Sequence, residues 1–213
     1  MEWNDHRQPL NPKRSRTVLR EDVILVVIKN AQGATDYCGL KELLQKETGE
    51  DVHRSIVHTQ DVWEPTYYCG EYRYKLILLP ASDPTPFGDP YIRDANHFSL
   101  FLNYDASSTK SWDEMVASCE DISSRCEDGV IPLPTIVAAM GEGCVSREEA
   151  ERFARQRSCR FFQYSPVTGH GLCKAFASIV EHAHGTRLQY ATDPDGFQAT
   201  VKATTEVVQR LFR

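Results

Sequence analysis

The sequence has no apolar run that approaches the roughly 20 residues of a membrane-spanning helix. The segment before residue 21 also lacks the apolar core of a signal peptide, because it is polar and contains Pro9, Pro12 and a cluster of lysine and arginine residues. We therefore predict a disordered tail over residues 1–20 and a cytoplasmic protein without a membrane anchor.

An excess of positive charge is also missing. The chain of 213 residues has a formal net charge of −6. Because nucleic acids and anionic membranes attract basic surfaces, this balance argues against either of them as the main partner. A content of 41% hydrophobic and 25% charged residues is typical of a globular domain that can bury a core.

Paired cysteine spacing is absent as well. The seven cysteines include no C-x-x-C pair, and their odd number favours a reducing compartment over a disulfide framework. Cys119 and Cys126 lie two turns apart on a predicted helix, where they could share a face. We favour core or surface thiols there, with a zinc site as the alternative.

Glycine is scarce where a phosphate-binding loop would need it. The β-branched run Val23–Ile28 predicts a buried strand, and Leu40, Leu43 and Leu44 recur at helical spacing shortly after it. A strand, a loop and a helix in this order are the setting of the G-x-x-x-x-G-K-[ST] motif. Gly33 is the only glycine between Lys29 and Cys38.

The residues at the motif positions do not suit phosphate. Lys29 stands at the first glycine and Ala34 at the second, while Thr35 replaces the lysine and Asp36 replaces the hydroxyl residue. The carboxylate of Asp36 would repel a phosphate at contact by about 1–4 kcal/mol, depending on the local dielectric. The sequence thus predicts the scaffold of a nucleotide site without its loop.

Strand and helix patterns alternate along the rest of the chain. The predicted strands are Ser55–Val62, Tyr72–Leu79, His97–Tyr104, Thr135–Ala139 and Arg160–Tyr164. The first two read as an antiparallel hairpin around the turn-like Trp63–Glu71. Helices are predicted around Trp112–Ile122, after the capping box Ser146–Glu149, and from Leu172 to near Gly185. This alternation predicts a mainly parallel sheet that is covered on both faces.

Three blocks of sequence resemble one family. They are Phe98–Trp112, Val145–Ala154 and Phe161–Gly169, and in this order they are similar to the Ras superfamily of small GTPases, the Rab and Ras branches most. The resemblance covers Val23 to about His184. It implies a Ras-like G-domain over 21–185, with six strands, one antiparallel edge strand and helices on both faces, followed by a C-terminal extension over 186–213.

The residues that this resemblance assigns to nucleotide chemistry are nearly all replaced. The D-x-x-G motif falls on Pro80 and Asp83, and the water-orienting glutamine falls on Pro84. The N-K-x-D motif falls on Ala139, Met140 and Glu142. In the S-A-K loop Ser165 is retained, while Pro166 and Val167 replace the other two residues.

Five parts of one site differ together, and phosphoryl transfer depends on the positioning and charge neutralisation that these parts supply. We therefore hypothesise a pseudo-GTPase that is not an enzyme, binds no nucleotide, cofactor or metal, and acts as a constitutive protein-binding scaffold in a regulatory or trafficking assembly. The alternative is a divergent small GTPase that binds guanine nucleotide through Lys29, Glu142 and Ser165.

Two groups of residues are candidates for contact with a protein partner. One is aromatic and consists of Trp63, Tyr67, Tyr68, Phe87 and Tyr91, a neighbourhood that meets effectors in Ras-like proteins. The other is the apolar stripe of a predicted C-terminal helix, with Phe197, Val201, Val208 and Leu211. For each group the alternative is packing within the domain.

Overall fold

A six-stranded sheet forms the centre of the molecule, with the order β4-β5-β1-β6-β7-β8. The computed structural model describes residues 20–48, 54–57, 60–63, 66–69, 71–81, 92 and 94–212. The strands of this sheet are β1 (Arg20–Asn30), β4 (Thr66–Cys69), β5 (Tyr72–Pro80), β6 (His97–Asp105), β7 (Thr135–Met140) and β8 (Arg160–Tyr164). All neighbours are parallel except β4, which is antiparallel to β5 at the edge. The predicted fold class is confirmed.

Helices cover both faces of the sheet. They are α1 (Tyr37–Thr48), α2 (Thr109–Ser124), α3 (Arg147–Gln156), α4 (Leu172–Gln189) and α5 (Pro194–Phe212). Along β1, Leu25 and Val27 point into the core on the side of α2 and α3, and Ile24 and Val26 point into the core on the side of α1 and α4. This alternation explains why β1 is apolar throughout: it is buried on both sides.

The predicted hairpin is wrong in its first strand. Residues 54–57 and 60–63 form two short strands, β2 and β3, which pair with each other. The strand that pairs with β5 is β4, which comes from the segment predicted as a turn. Thr66, Tyr67 and Tyr68 favour extended backbone, and the connection of two residues before Tyr72 is the length of a tight hairpin.

The boundary predicted near Gly185 lies inside α4. A glycine within a helix costs about 1 kcal/mol relative to alanine, which the surrounding contacts of a helix readily outweigh. Four residues of helix follow Gly185. Among them, Arg187 places Nε 3.4 Å from Oδ2 of the buried Asp22, which ties the end of α4 to the start of β1.

The C-terminal helix α5 packs on the domain. Asp193 caps its start, because Oδ1 accepts a hydrogen bond of 2.9 Å from the backbone N–H of Gly196. Phe197, Val208 and Leu211 are buried, and the last two belong to the core on the α2 side. These three residues therefore contact their own domain and are not free for a partner, which corrects that expectation in favour of its alternative. Val201 is half-buried.

Candidate functional site

The candidate site lies at the carboxyl ends of β1, β6, β7 and β8. In a parallel α/β sheet this edge is where ligands bind, since the loops that follow the strands meet there. The loop of residues 31–36 joins β1 to α1, and the loop of residues 165–171 joins β8 to α4. These two loops contain Ala34, Thr35, Asp36 and Ser165, which are four of the positions that the resemblance to small GTPases assigns to nucleotide contacts.

The protein's own carboxylate occupies the start of α1. Asp36 Oδ1 accepts a hydrogen bond of 2.8 Å from the backbone N–H of Gly39, and the backbone carbonyl of Asp36 accepts one from Leu40. The free N–H groups and the helix dipole make such an N-terminus attractive to anions. Asp36 supplies that negative charge from within the chain, as a helix cap does.

Asn103 is the centre of a buried hydrogen-bond network at the ends of the strands. Its side-chain N–H₂ donates to the backbone carbonyl of Thr35 at 2.9 Å and to Oδ1 of Asn30 at 3.2 Å. Its Oδ1 accepts from the hydroxyl of Tyr164 at 3.0 Å. Asn103 is 0% exposed, so these partners replace water completely.

Tyr164 and Thr35 complete this network. Burial raises the pKa of Tyr164 to about 12, against the opposing effect of its hydrogen bonds with Thr35 and Asn103. The hydroxyl therefore stays protonated at neutral pH and can donate. The Thr35 hydroxyl in turn donates to the sulfur of Met140 at 2.9 Å. Side chains from three strands and the loop thus fill the space beside residues 30–36.

The charged groups bonded to the loop of residues 31–36 are carboxylates. Glu114 of α2 accepts a hydrogen bond of 2.8 Å from the backbone N–H of Gln32, and Asp36 caps α1 as described. Gly33 has φ of 85°, a conformation that favours glycine, and a side chain there would meet the carboxylate of Asp105 at 3.6 Å. A phosphate in this loop would be surrounded by like charge.

A second carboxylate holds the start of α4. Glu47, on α1, accepts hydrogen bonds from the backbone N–H groups of Gly171 at 2.8 Å and Cys173 at 2.7 Å. The loop of residues 165–171 is thereby fastened to α1. Sequence reasoning missed Glu47 because its partners lie more than 120 residues away along the chain.

The sheet and one comparison bear on the family of the protein. No protein-family model matches the chain. The chain is similar to Ras-related protein Rab-26 of Bos taurus, with 29% identity over 106 residues. The fold is consistent with a Ras-like G-domain. The similar region covers 49% of this chain and 41% of that relative, so the chain spans less than half the length of the Rab protein that it matches.

Several of the positions that the resemblance to small GTPases assigns to nucleotide contacts contain residues that pack within the domain. Pro80 ends β5 opposite Ile28, and Ala139 is buried in β7. Ala34 is half-buried in the loop before α1. Asp83 and Pro84 lie outside the described residues.

Glu142 and Ser165 border one groove, of about 400 Å³, beside the ends of β7 and β8. The hydroxyl of Ser165 accepts from the backbone N–H groups of Val167 and Thr168, and Gln163 donates to the carbonyl of Gly141 at 2.6 Å. Arg147 is paired with Glu151 at 2.8 Å. Much of the polar lining of the groove is thus bonded within the protein.

Lys29 does not join Glu142 and Ser165. It has the same orientation along β1 as Leu25 and Val27, towards α2. There it contributes to the lowered pKa of Asp121, whose main cause is the hydrogen bond from Arg125. The three residues of the divergent GTPase alternative are therefore not brought to one place.

The predicted aromatic group is only partly within the described residues. Tyr68 on β4 is 66% exposed, and Tyr67 is half-buried against the core on the α4 side. Trp63 is the last residue of β3. Phe87 and Tyr91 lie outside the described residues.

The cysteines predicted to share a helix face have separate surroundings. Cys119 is buried in the core on the α2 side, and Cys126 donates to the backbone carbonyl of Ile122 at 3.3 Å. Within the described ranges, no three potential metal ligands of the histidine, cysteine or acidic type cluster together. In the same part of the chain, no helix has the length and apolarity to cross a membrane.

Proposed function

We propose that this small-GTPase-like protein keeps its fold without nucleotide and binds a protein partner through its outer surface. The observation that carries the proposal is that side chains of the protein itself bond at and beside residues 30–36. Asp36 supplies the negative charge at α1, and Asn103 with Tyr164 supplies the hydrogen bonds beside the loop. The proposed setting is a cytoplasmic assembly with a regulatory or trafficking role.

A nucleotide bound beside residues 30–36 would have to displace groups of the protein itself. A nucleotide phosphate that approached α1 would meet the Asp36 carboxylate, a repulsion of about 1–4 kcal/mol at contact. It would also have to break hydrogen bonds of the Asn103 network, and each buried group left without a partner costs about 1–3 kcal/mol. Nucleotide sites offer the opposite arrangement, with free N–H groups, a lysine and a metal.

A divergent small GTPase is the second candidate. It is favoured by the similarity to Rab-26 and by the groove beside Glu142 and Ser165. It is disfavoured by the direction of Lys29, which points to α2. A nucleotide in that groove would have its phosphates near Asp36 with no lysine from the loop to neutralise them.

The proposed partner surface includes the edge strand β4. Tyr68 projects an aromatic ring into solvent there, and Tyr67 beside it is half-buried. Aromatic residues are enriched among those that dominate binding energy in protein interfaces. A partner that contacts this edge would not need to touch the ends of the strands.

The proposal is tested by partner capture under different nucleotide conditions. Immobilised wild-type protein is incubated with extract from its native cells in the presence of GDP, a non-hydrolysable GTP analogue, or a chelator with no added nucleotide. We expect the same specific partner in all three conditions, and a loss of at least tenfold with Tyr68→Ser. Tenfold corresponds to about 1.4 kcal/mol, a modest value for an aromatic contact residue.

Val167→Ser is the matched control. Val167 is 73% exposed and follows β8, at the opposite edge of the sheet. Its substitution removes a comparable exposed apolar side chain and should leave capture unchanged. Capture that requires the GTP analogue would contradict the proposal, and so would equal effects of the two substitutions.

A further inference from the structure

Two neighbouring cavities lie at the amino ends of the parallel strands, opposite the candidate site. One has a volume of about 180 Å³ and the other of about 250 Å³, and His182 of α4 is among the residues that line both. Their lining includes His97, Thr135 and Arg160, which are the first residues of β6, β7 and β8. These strands are neighbours in the sheet, so the two cavities form one cleft across their ends.

The smaller cavity has mainly apolar walls. They come from β1, β6, α4 and α5 and include Ile24, Phe98, Ile179, Phe197 and Val201. An apolar cavity of about 150 Å³ is enough to bind benzene, so this one can accommodate a six-membered ring. The wall from α5 belongs to the C-terminal extension, which lies beyond the region that resembles small GTPases.

The threonine hydroxyls around the smaller cavity already donate to backbone carbonyls. On α5, Thr200 donates to Gly196 at 3.0 Å and Thr204 donates to Thr200 at 2.9 Å. On α4, Thr186 donates to His182 at 3.1 Å. A hydroxyl has a single proton to donate, so these groups are poor anchors for an anion. The smaller cavity therefore suits the apolar part of a ligand.

Arg160 supplies hydrogen-bond donors in the larger cavity. Its Nη1 donates to the backbone carbonyl of Ser178 at 3.1 Å and to the hydroxyl of the same residue at 2.5 Å, which places the guanidinium beside α4. A guanidinium has five N–H donors in a fork that matches a carboxylate. The salt bridges within the described ranges give Arg160 no carboxylate partner.

The ionisable side chains that line the cleft are basic. They are His97, Arg160 and His182, and no aspartate or glutamate of the described residues lines either cavity. Partial burial, Arg160 and His97 lower the pKa of His182, so Arg160 carries the charge at neutral pH while His182 is neutral. Asp22 lies 3.6 Å from His97 outside this lining, and its charge is paired with Arg187 at 3.4 Å. The charge in the cleft thus favours an anion.

We propose that this cleft binds a small anion with an apolar body, such as an aromatic carboxylate. The ring lies in the smaller cavity, and the carboxylate accepts hydrogen bonds from Arg160 beside His182. Ser178, which holds Arg160, is one helical turn before His182, so the guanidinium and the imidazole lie along the same face of α4. The cleft and the candidate site are at opposite ends of the strands, so this proposal does not depend on the absence of nucleotide.

The test uses benzoate as the probe and benzyl alcohol as its neutral counterpart of similar size. Each is titrated into isotope-labelled full-length protein, and the amide resonances are followed by NMR. We expect saturable shifts with benzoate that are confined to α4, α5 and the starts of β6, β7 and β8. A dissociation constant of about 1 mM or tighter is reasonable for a ligand of this size. Benzyl alcohol should bind at least tenfold more weakly, because it cannot pair with the guanidinium.

Arg160→Gln should weaken the binding of benzoate at least tenfold. Arg155→Gln is the matched control, because Arg155 is an exposed residue of α3 and its loss changes the net charge equally. Equal effects of the two substitutions would overturn the proposal. So would a lack of saturation with benzoate, shifts outside the cleft, or equal affinity for the two probes, and these three results require only the wild-type protein.

Discussion

Replacement of Phe197 by alanine is expected to lower the free energy of unfolding by about 3–5 kcal/mol, the range for a large aromatic side chain in a core. Phe197 is 1% exposed. Its ring lies 5.5 Å from that of His97 and 6.1 Å from that of Tyr190, and the Arg187 guanidinium lies 4.2 Å above it. The substitution would leave a cavity under α5 and uncover the contact between Arg187 and Asp22.

Chemical denaturation followed by circular dichroism measures this effect. Val201→Ala is the matched control, because Val201 is on the same helix but only half-buried, and its loss should cost about 1 kcal/mol. A loss below 1 kcal/mol for Phe197→Ala would contradict the packing of α5 on the domain. It would restore the interpretation of this helix as a partner-binding element.

Replacement of Asn103 by alanine is expected to lower the free energy of unfolding by about 2–5 kcal/mol, because several groups lose their hydrogen-bond partner at once. The carbonyl of Thr35, the amide of Asn30 and the hydroxyl of Tyr164 all bond to this one side chain. The bond with Tyr164 is buried and the other two are partly buried, so truncation of the side chain adds a desolvation penalty that is largest at Tyr164.

The control for Asn103 is Tyr164→Phe, which removes one hydrogen bond of the same network and should cost about 1–2 kcal/mol. The double variant should then be less destabilised than the sum of the two changes, since both act on one network. Additive effects, or a cost below 1 kcal/mol for Asn103→Ala, would show that the network does not hold the ends of the strands together.

The parallel strands could be predicted because their sequence pattern has one structural solution. Val23–Ile28 is apolar at every position and His97–Tyr104 at most positions, which fits strands buried on both faces. The first strand of the hairpin is mispredicted because Pro65 and Gly70, on either side of β4, both indicate a turn in the sequence. The helix boundary failed at Gly185, where long-range contacts of Arg187 outweigh a weak local preference.

Only some residues of the candidate site could be predicted from the sequence. The exclusion of a glycine-rich loop followed directly from the residues between Lys29 and Asp36. The role of Asn103 could not be predicted in this way, because its hydrogen-bond partners Thr35 and Tyr164 lie 68 and 61 residues away along the chain. The available signal was a polar residue near the end of a mostly apolar strand, and Asn103 is such a residue.

Likeness in fold and likeness in chemistry are separate matters for this chain. The sheet order depends on apolar residues in the strands, and the sequence contains them. The resemblance to small GTPases assigns nucleotide contacts to a few positions at and after the strand ends, and Asp36, Pro80 and Met140 stand at three of them. Met140 accepts a hydrogen bond from Thr35, which shows that the replacements also contact one another.

We propose that side chains of the protein itself fill the space at the ends of the strands and that no nucleotide binds there. Isothermal titration of the purified, nucleotide-stripped protein with GDP and GTP, each with and without Mg²⁺, is the decisive test of this proposal. We predict no saturable heat at protein concentrations that would reveal micromolar binding. Saturable binding of either nucleotide at micromolar affinity or tighter would contradict the claim.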